Sequence, residues 1–336
     1  MDSLTHIVLG ACVGEVVAGK RLGKTALIAG AVAQSIPDLD FIASFWMSPA
    51  GDLLAHRGFT HSFLFIILIS YPLALMVVRW KWISPMSVRS WSFFILLELL
   101  IHIMLDAFNA YGTAWFEPFS HYRVSFNSLF VLDPFFSIWP LLAAISLMIL
   151  PIQNKQRIKW AWLGIAISVL YLVTSLVNKQ LTSTPIENSL AKHQIKYHRY
   201  FSTPTPANIW LWYIVAEDNQ GLYVGYRSVF DSQTEISFQF FNKNKHLLDT
   251  INNHEDLQHL IRFSEGYYTV STYENRLVFN DLRFGQMMGW SDPRSPFVFY
   301  YFLNHPKDNE LLIQRGRFAN WDHQAVLSFV DRIKGD

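Results

Sequence analysis

The sequence predicts an α-helical membrane bundle of about six helices, the first two short, followed by a soluble α+β domain. Three observations predict it. Hydrophobic residues make up 51% of the 336 and charged ones only 16%, against about 25% charged in soluble domains. Every long apolar run lies within the first 177 residues. From Asn178 onward such runs vanish, and short stretches of alternating apolar and polar residues replace them. So apolar a chain must bury its surface or sit in lipid, which excludes intrinsic disorder. The formal charge of +1 offers no basic field, so no nucleic-acid partner is expected. With Cys12 as the single cysteine, neither an internal disulfide nor a Cys-based zinc cluster is available.

The elements follow in order. Residues 4–18 and 25–36 are weak, Gly- and Ala-rich runs, and Glu15 interrupts the first. They read as a close-packed hairpin, spanning or re-entrant, whose small residues let backbones approach; an amphipathic pair lying on the membrane surface is the alternative. Met1-Asp2-Ser3 lacks the positive start of a cleaved signal peptide. Runs 63–78, 91–108, 129–150 and 160–177 are each about long enough to cross a hydrocarbon core of roughly 30 Å. A linker is expected at 182–185, with a second break at 203–206, dividing a membrane domain (1–180) from an α+β domain (181–336). In the latter, alternation at 236–240 and 267–273 predicts strands. Helical patterns occupy 187–201, 253–263 and 321–333, while Asp292-Pro293 and Asn304-His305-Pro306 mark turns.

Basic residues orient the bundle, because Lys and Arg are retained on the cytoplasmic side. Lys20, Arg21, Lys24, Arg79, Lys81, Arg89, Lys155, Arg157 and Lys159 fall in one set of connections, and only Arg57 and Arg123 in the other. This bias places the segment before Phe63, the loop around His121 and the C-terminal domain outside the cytoplasm.

Against that background a set of polar residues needs explaining: His6, Asp38, Asp40, His56, Arg57, Thr60, His61, Glu98, His102, Asp106, His121 and Asp133. With the charge-derived orientation the His and Asp members fall at one membrane face. His102 and Asp106 are four apart, hence stacked on one helical face, with Glu98 a turn deeper. Ionisable groups in such helices are costly and face a bundle interior or a watery cavity. Imidazole and carboxylate together suit zinc, or manganese and iron with more carboxylate. The number of donors exceeds one tetrahedral ion, so two or more ions are the natural expectation, able to clamp the attacking and leaving oxygens of a hydrolysed ester.

Each residue also has a bland reading. His6 can be a helix-start residue satisfied by water, Asp38 and Asp40 can end a helix, and His102 with Asp106 can form a stabilising hydrogen bond. Thr60 reads as the N-cap of the third helix. Arg57 either snorkels to headgroups or clamps a phosphate-like oxyanion beside the metals. Glu98 reads as a partner of a ligand or an intrahelical bond. His121 and Asp133 can cap helices or bind water.

His6, Pro37-Asp38-Leu39-Asp40, His56-Arg57-Gly58-Phe59-Thr60-His61-Ser62, His102-x-x-x-Asp106 and Leu132-Asp133-Pro134 together resemble the YdjM-like family of bacterial inner-membrane, metal-dependent hydrolases, some carrying a LexA-binding label. The similarity covers residues 1–177. More distantly, the pattern is similar to zinc phospholipase C and the P1-type nucleases. The resemblance implies metal ligation by His6, Asp38 or Asp40, His56, His61, His102 and Asp106. A catalytic role is expected for Arg57, in stabilising developing charge, and for Asp133, in orienting a histidine or binding a second ion. The expected function is phosphoester hydrolysis on a lipid or lipid-linked substrate, at the outer face of the bacterial cytoplasmic membrane. The alternatives are a metal transporter or sensor, and a non-enzymatic scaffold with a structural metal.

Overall fold

A computed structural model describes residues 1–79, 86–251, 253–304, 309, 318 and 321–335. Lys81, counted in the charge bias, and His305 and Pro306, expected in a turn, lie outside them. Contacts divide the chain into two units: Met1–Ile42 with Ala55–Thr174, and Ala43–Leu54 with Ser175–Asp336.

The first unit begins with α1 (Ser3–Leu22), capped by Asp2, whose carboxylate accepts the Thr5 N–H. Gly23, at φ +59°, turns the chain into α2 (Thr25–Ser35). At 20 residues α1 is longer than the run that predicted it, since Lys20 and Arg21 continue the helix after the apolar residues end. The two helices touch backbone to backbone. A Cβ on Gly10 would lie 2.5 Å from the Gly30 carbonyl oxygen, and one on Gly14 would collide with that of Ala26. The close-packed hairpin is therefore borne out. A 48° bend separates α2 from a 3-10 segment, Pro37–Phe45.

A short helix, α3 (Pro49–Ala55), and a 3-10 turn, Phe59–His61, precede α4 (Phe63–Arg79). The expected N-cap, Thr60, sits inside that turn; Ser62 accepts the Phe65 N–H instead, because the turn ends one residue before the helix starts. Then come α5 (Val88–Asp106), α6 (Pro134–Ile149) and α7 (Gln156–Lys192). The run from 129 becomes helical only at Pro134, where Asp133 caps and proline occupies the first turn. Ala26, Ala33, Ile66, Trp91, Phe94, Leu99 and Ile103 form one core of this unit. Val8, Cys12, Leu27, Ala143, Leu147 and Ala161 form another. Its outer surface is apolar, with Ile67, Leu68 and Met76 of α4 and Leu170 of α7 all about 60% exposed, as lipid contact requires. Among the described residues three helices are long and apolar enough to cross a membrane, or up to five if each bent pair is one span. The expected six is a number these lengths do not reach, since α6 has only 16 residues.

The second unit holds a four-stranded antiparallel sheet in the order β1 (Arg199–Pro204), β2 (Leu211–Glu217), β3 (Gly221–Ser228), β4 (Gln239–Asn242), and a three-stranded one, β5 (Tyr268–Tyr273), β6 (Arg276–Gln286), β7 (Phe297–Phe302). Tyr213, Val215, Leu222 and Val224 of the first sheet pack with Tyr267, Leu282 and Phe297. Its other face takes Ile186 and Leu190 of α7 against Ile214 and Ala216. This packing explains two corrections. The expected linker at 182–185 is helical, with Pro185 inside α7, because Ile186 and Leu190 are fully buried. The helix expected over 187–201 ends at Lys192, and Phe201 lies on β1. α8 (His254–Phe263), capped by Asn253, and α9 (His323–Lys334) fall where expected, as does β5, while the strand expected at 236–240 is confined to β4. Ser48 donates to Asp256 at 2.6 Å, tying 43–54 to this unit.

Candidate metal centre

The bundle brings together residues from five separate stretches of the first unit. His6 rides on α1, Gln34 on the last turn of α2, Asp38 and Asp40 on the 3-10 segment, His61 on the short turn before α4, and His102 and Asp106 one turn apart on α5. His6, His61, His102 and Asp106 are wholly buried; the Asp38 side chain is 18% exposed.

Asp38, His61, His102 and Asp106 each offer one ligand atom, all within 4.8 Å of one another. His61 Nε2 lies 3.1 Å from His102 Nε2, 3.3 Å from Asp106 Oδ2 and 3.6 Å from Asp38 Oδ1. His102 Nε2 lies 3.4 Å from Asp106 Oδ2 and 3.5 Å from Asp38 Oδ1. A tetrahedron with zinc–ligand bonds of 2.0 to 2.2 Å has edges of about 3.3–3.6 Å. Five of the six edges, at 3.1 to 3.6 Å, therefore have about the size of a first-row ion's coordination shell, and the sixth, between Asp38 and Asp106, lies within 4.8 Å.

Proton placement points the same way. His102 Nδ1 donates to the main-chain carbonyl of Gln34 at 2.5 Å, so in the neutral ring Nε2 carries a lone pair. His61 Nδ1 faces Thr60 Oγ1 at 3.0 Å and Asp40 Oδ2 at 3.4 Å, which assigns its proton to Nδ1 and leaves Nε2 bare as well. Two lone pairs and two carboxylate oxygens converge. Asp106 Oδ2, though buried, accepts no hydrogen bond. Four atoms so placed could hold a cation between them, and the donor set fits a divalent metal.

The remaining expected ligands stand around this quartet. Asp40 does not join it: its Oδ2 accepts the Arg57 N–H at 2.8 Å and its Oδ1 meets His56 Nδ1 at 3.0 Å. It backs His61 as a carboxylate backs a metal-bound histidine. His56 is 39% exposed at its side chain and also outside the quartet, its ring 6.3 Å from that of His61. His6 stacks on His102 at 3.8 Å, with Nε2 3.1 Å from Asp106 Oδ1, an oxygen that also takes the Met1 amino group. Spacing alone could not separate these roles, because residues two apart on a 3-10 turn point to different partners.

Neither Arg57 nor Asp133, the two residues expected to be catalytic, is one of the quartet. Arg57, at φ +58°, is buried with Nη1 on Asn109 Oδ1 at 2.7 Å, Nη2 on the Met1 carbonyl at 3.2 Å and Nε facing Asp106 Oδ2 at 3.2 Å. Both Nη atoms are thus engaged by neutral oxygens, and only Nε faces a member of the quartet. Asp133 lies apart: it accepts the Phe135 and Phe136 N–H groups at the start of α6 and the Tyr171 hydroxyl at 3.0 Å. His121 pairs with Glu117 on the surface. The sequence reading passed over Gln34 and Asn109, both wholly buried. An amide in the apolar run 25–36 was the signal that Gln34 offered.

Residues 1–182 match the model of the YdjM inner membrane protein family, bearing out the resemblance carried by the His56–Ser62 signature. The chain is 27% identical over 169 residues to the inner membrane protein YbcI of Escherichia coli (strain K12), covering 48% of this chain and 90% of that protein. It is 32% identical over 152 residues to the uncharacterized protein YfhP of Bacillus subtilis (strain 168), covering 40% of this chain and 42% of that one. No solved structure matches.

Proposed function

We propose that this chain, which belongs to the YdjM inner membrane protein family, is a multi-pass, zinc-dependent phosphoester hydrolase of the bacterial cytoplasmic membrane, with its C-terminal domain outside the cytoplasm. The observation that carries the reading is the quartet Asp38, His61, His102 and Asp106, five of whose six edges measure 3.1 to 3.6 Å, the size that one tetrahedral ion needs. Zinc fits the two-imidazole, two-carboxylate set best, with manganese or iron as alternatives. A divalent ion there supplies a Lewis acid for a phosphoryl oxygen and makes water more acidic.

The chain's own residues supply the rest. Arg57 neutralises Asp106 and holds it through the Nε contact. His56, half exposed and oriented by Asp40, carries the proton: it takes one from the attacking water and returns it to the leaving alcohol as the P–O ester bond breaks. Leu39, Phe41 and Phe59, each 46 to 54% exposed, lie close to Asp38, Asp40 and His56 along the chain, so exposed apolar side chains accompany the polar ones. That combination suits a lipid or lipid-linked phosphoester better than a free sugar phosphate. The deeper carboxylates, Glu15 and Glu98, are held by Arg157 and Gln34, which leaves little for an ion path and favours hydrolysis over transport.

The test is elemental analysis and phosphoesterase assay of full-length protein in mild detergent. One stoichiometric ion and lipid phosphoesterase activity, both lost in His61→Ala, are expected. Metal-free protein with full activity would overturn the reading.

A further inference from the structure

Glu98 is a wholly buried carboxyl in the apolar α5, and its Oε1 has no hydrogen-bond partner. Such a group is expensive in a membrane helix and marks function more often than stability. Its other oxygen accepts from Gln34 Nε2 at 3.0 Å. Gln34 is also wholly buried, and its Oε1 lies 3.4 Å from His6 Nδ1 while its main-chain carbonyl accepts from His102 Nδ1 at 2.5 Å. One residue thus holds two histidines that stack on each other at 3.8 Å. The first continues to Asp106 Oδ1 at 3.1 Å, and the second presents Nε2 to the quartet.

We propose that Gln34 and Glu98 are positioning residues of the metal centre: the Gln34 side chain sets the His6 ring, which stacks on His102 and reaches Asp106, and Glu98 holds the Gln34 amide the right way round. An amide has two unlike ends. With Nε2 committed to Glu98, Oε1 must face His6, whose ring is then held between two oxygens, Gln34 Oε1 beside Nδ1 and Asp106 Oδ1 beside Nε2. Reversed, the amide would set Oε1 against the Glu98 carboxyl and turn its N–H towards His6 Nδ1, changing the contact that holds the ring on His102 and Asp106. Outer partners of this kind tune metal affinity by about 10- to 100-fold.

The inference rests on the quartet being a metal site, and the experiment separates the two. Full-length protein in detergent is loaded with Co2+, its visible spectrum recorded, and zinc affinity measured by chelator competition. His61→Ala removes a ligand and is expected to lose binding. Gln34→Ala and Glu98→Leu are expected to bind one ion about 10- to 100-fold more weakly, with an altered cobalt spectrum. Glu98→Gln keeps an oxygen for Gln34 Nε2 and is expected to stay near the parent protein. Glu98→Leu places an apolar side chain in an apolar helix, so it guards against misfolding of Gln34→Ala. Parent-like spectra and affinities in both Gln34→Ala and Glu98→Leu, with His61→Ala still deficient, would overturn the positioning roles and leave the metal site intact. Equal impairment of Glu98→Gln and Glu98→Leu would overturn the role of Glu98. Parent protein that takes up no ion would overturn both readings.

Discussion

Glu15 and Arg157, 142 residues apart, form a two-point ion pair inside the bundle: Nη2 reaches Oε2 at 2.6 Å and Nε reaches Oε1 at 2.8 Å, with both side chains less than a tenth exposed. Arg157 also donates to the carbonyls of Leu147 and Leu150 where α6 ends. It is therefore an internal fastener rather than a free cytoplasmic charge. The same holds for the two arginines on the opposite side of the count, Arg57 and Arg123, which are buried and hydrogen-bonded to main-chain carbonyls. Removing all three sharpens the bias, since Lys20, Arg21, Arg79, Arg89, Lys155 and Lys159 are exposed.

Breaking this pair on one side strands a buried charge. Glu15→Ala is expected to lower stability by about 3–5 kcal/mol, whereas Glu15→Leu combined with Arg157→Leu should cost much less. Thermal unfolding in detergent checks this; equal losses in the single and double variants would contradict it.

Asp133 is expected to matter for stability and not for the metal. Asp133→Ala removes the cap of α6 and the acceptor of Tyr171, a loss of about 0.5–2 kcal/mol for the cap alone. Its metal content should equal that of the parent protein, while Asp38→Ala loses the ion. Loss of metal from Asp133→Ala, measured by elemental analysis, would restore a role at the centre.

The contact between α1 and α2 leaves no room for a methyl group at Gly30, whose Cβ would press on the Gly10 carbonyl and come within 3.0 Å of Glu98 Oε1. Gly30→Ala should destabilise the protein by about 1–3 kcal/mol through overpacking, seen as a lower unfolding temperature. An unchanged value would mean that the helices can separate at no cost.

In the C-terminal unit, burial disfavours the Glu217 carboxylate, but the Lys243 and Arg199 contacts outweigh it and hold the carboxyl below its ordinary 4.5. A lowered folded value means the stabilisation is complete above about pH 4.5 and fades as pH falls through the folded value. The stability gap between the parent protein and Glu217→Gln should thus be widest at neutral pH and shrink below pH 4.5. A gap that grows on acidification would reverse the sign.

Much of this was legible from residues alone. Length and apolarity mark α4, α5 and α7, since burying a helix in lipid is a local property of some twenty consecutive side chains. Small residues at Gly10, Gly14 and Gly30 announce the close hairpin, and Asn253 announces α8. Strands β2 and β6 were not legible: β2 is buried along six consecutive residues, and a strand covered on both faces shows no period of two. At the centre, residue types and spacing were enough to pick out side chains able to bind a cation and to stack His102 on Asp106 in α5. Packing of the helices is what puts Asp38 in the quartet and Asp40 behind His61, leaves His6 and His56 outside it, and brings Gln34 to its edge. Those assignments turn on differences of an ångström or less between atoms up to 100 residues apart, which packing of separate helices sets and no spacing along the chain encodes.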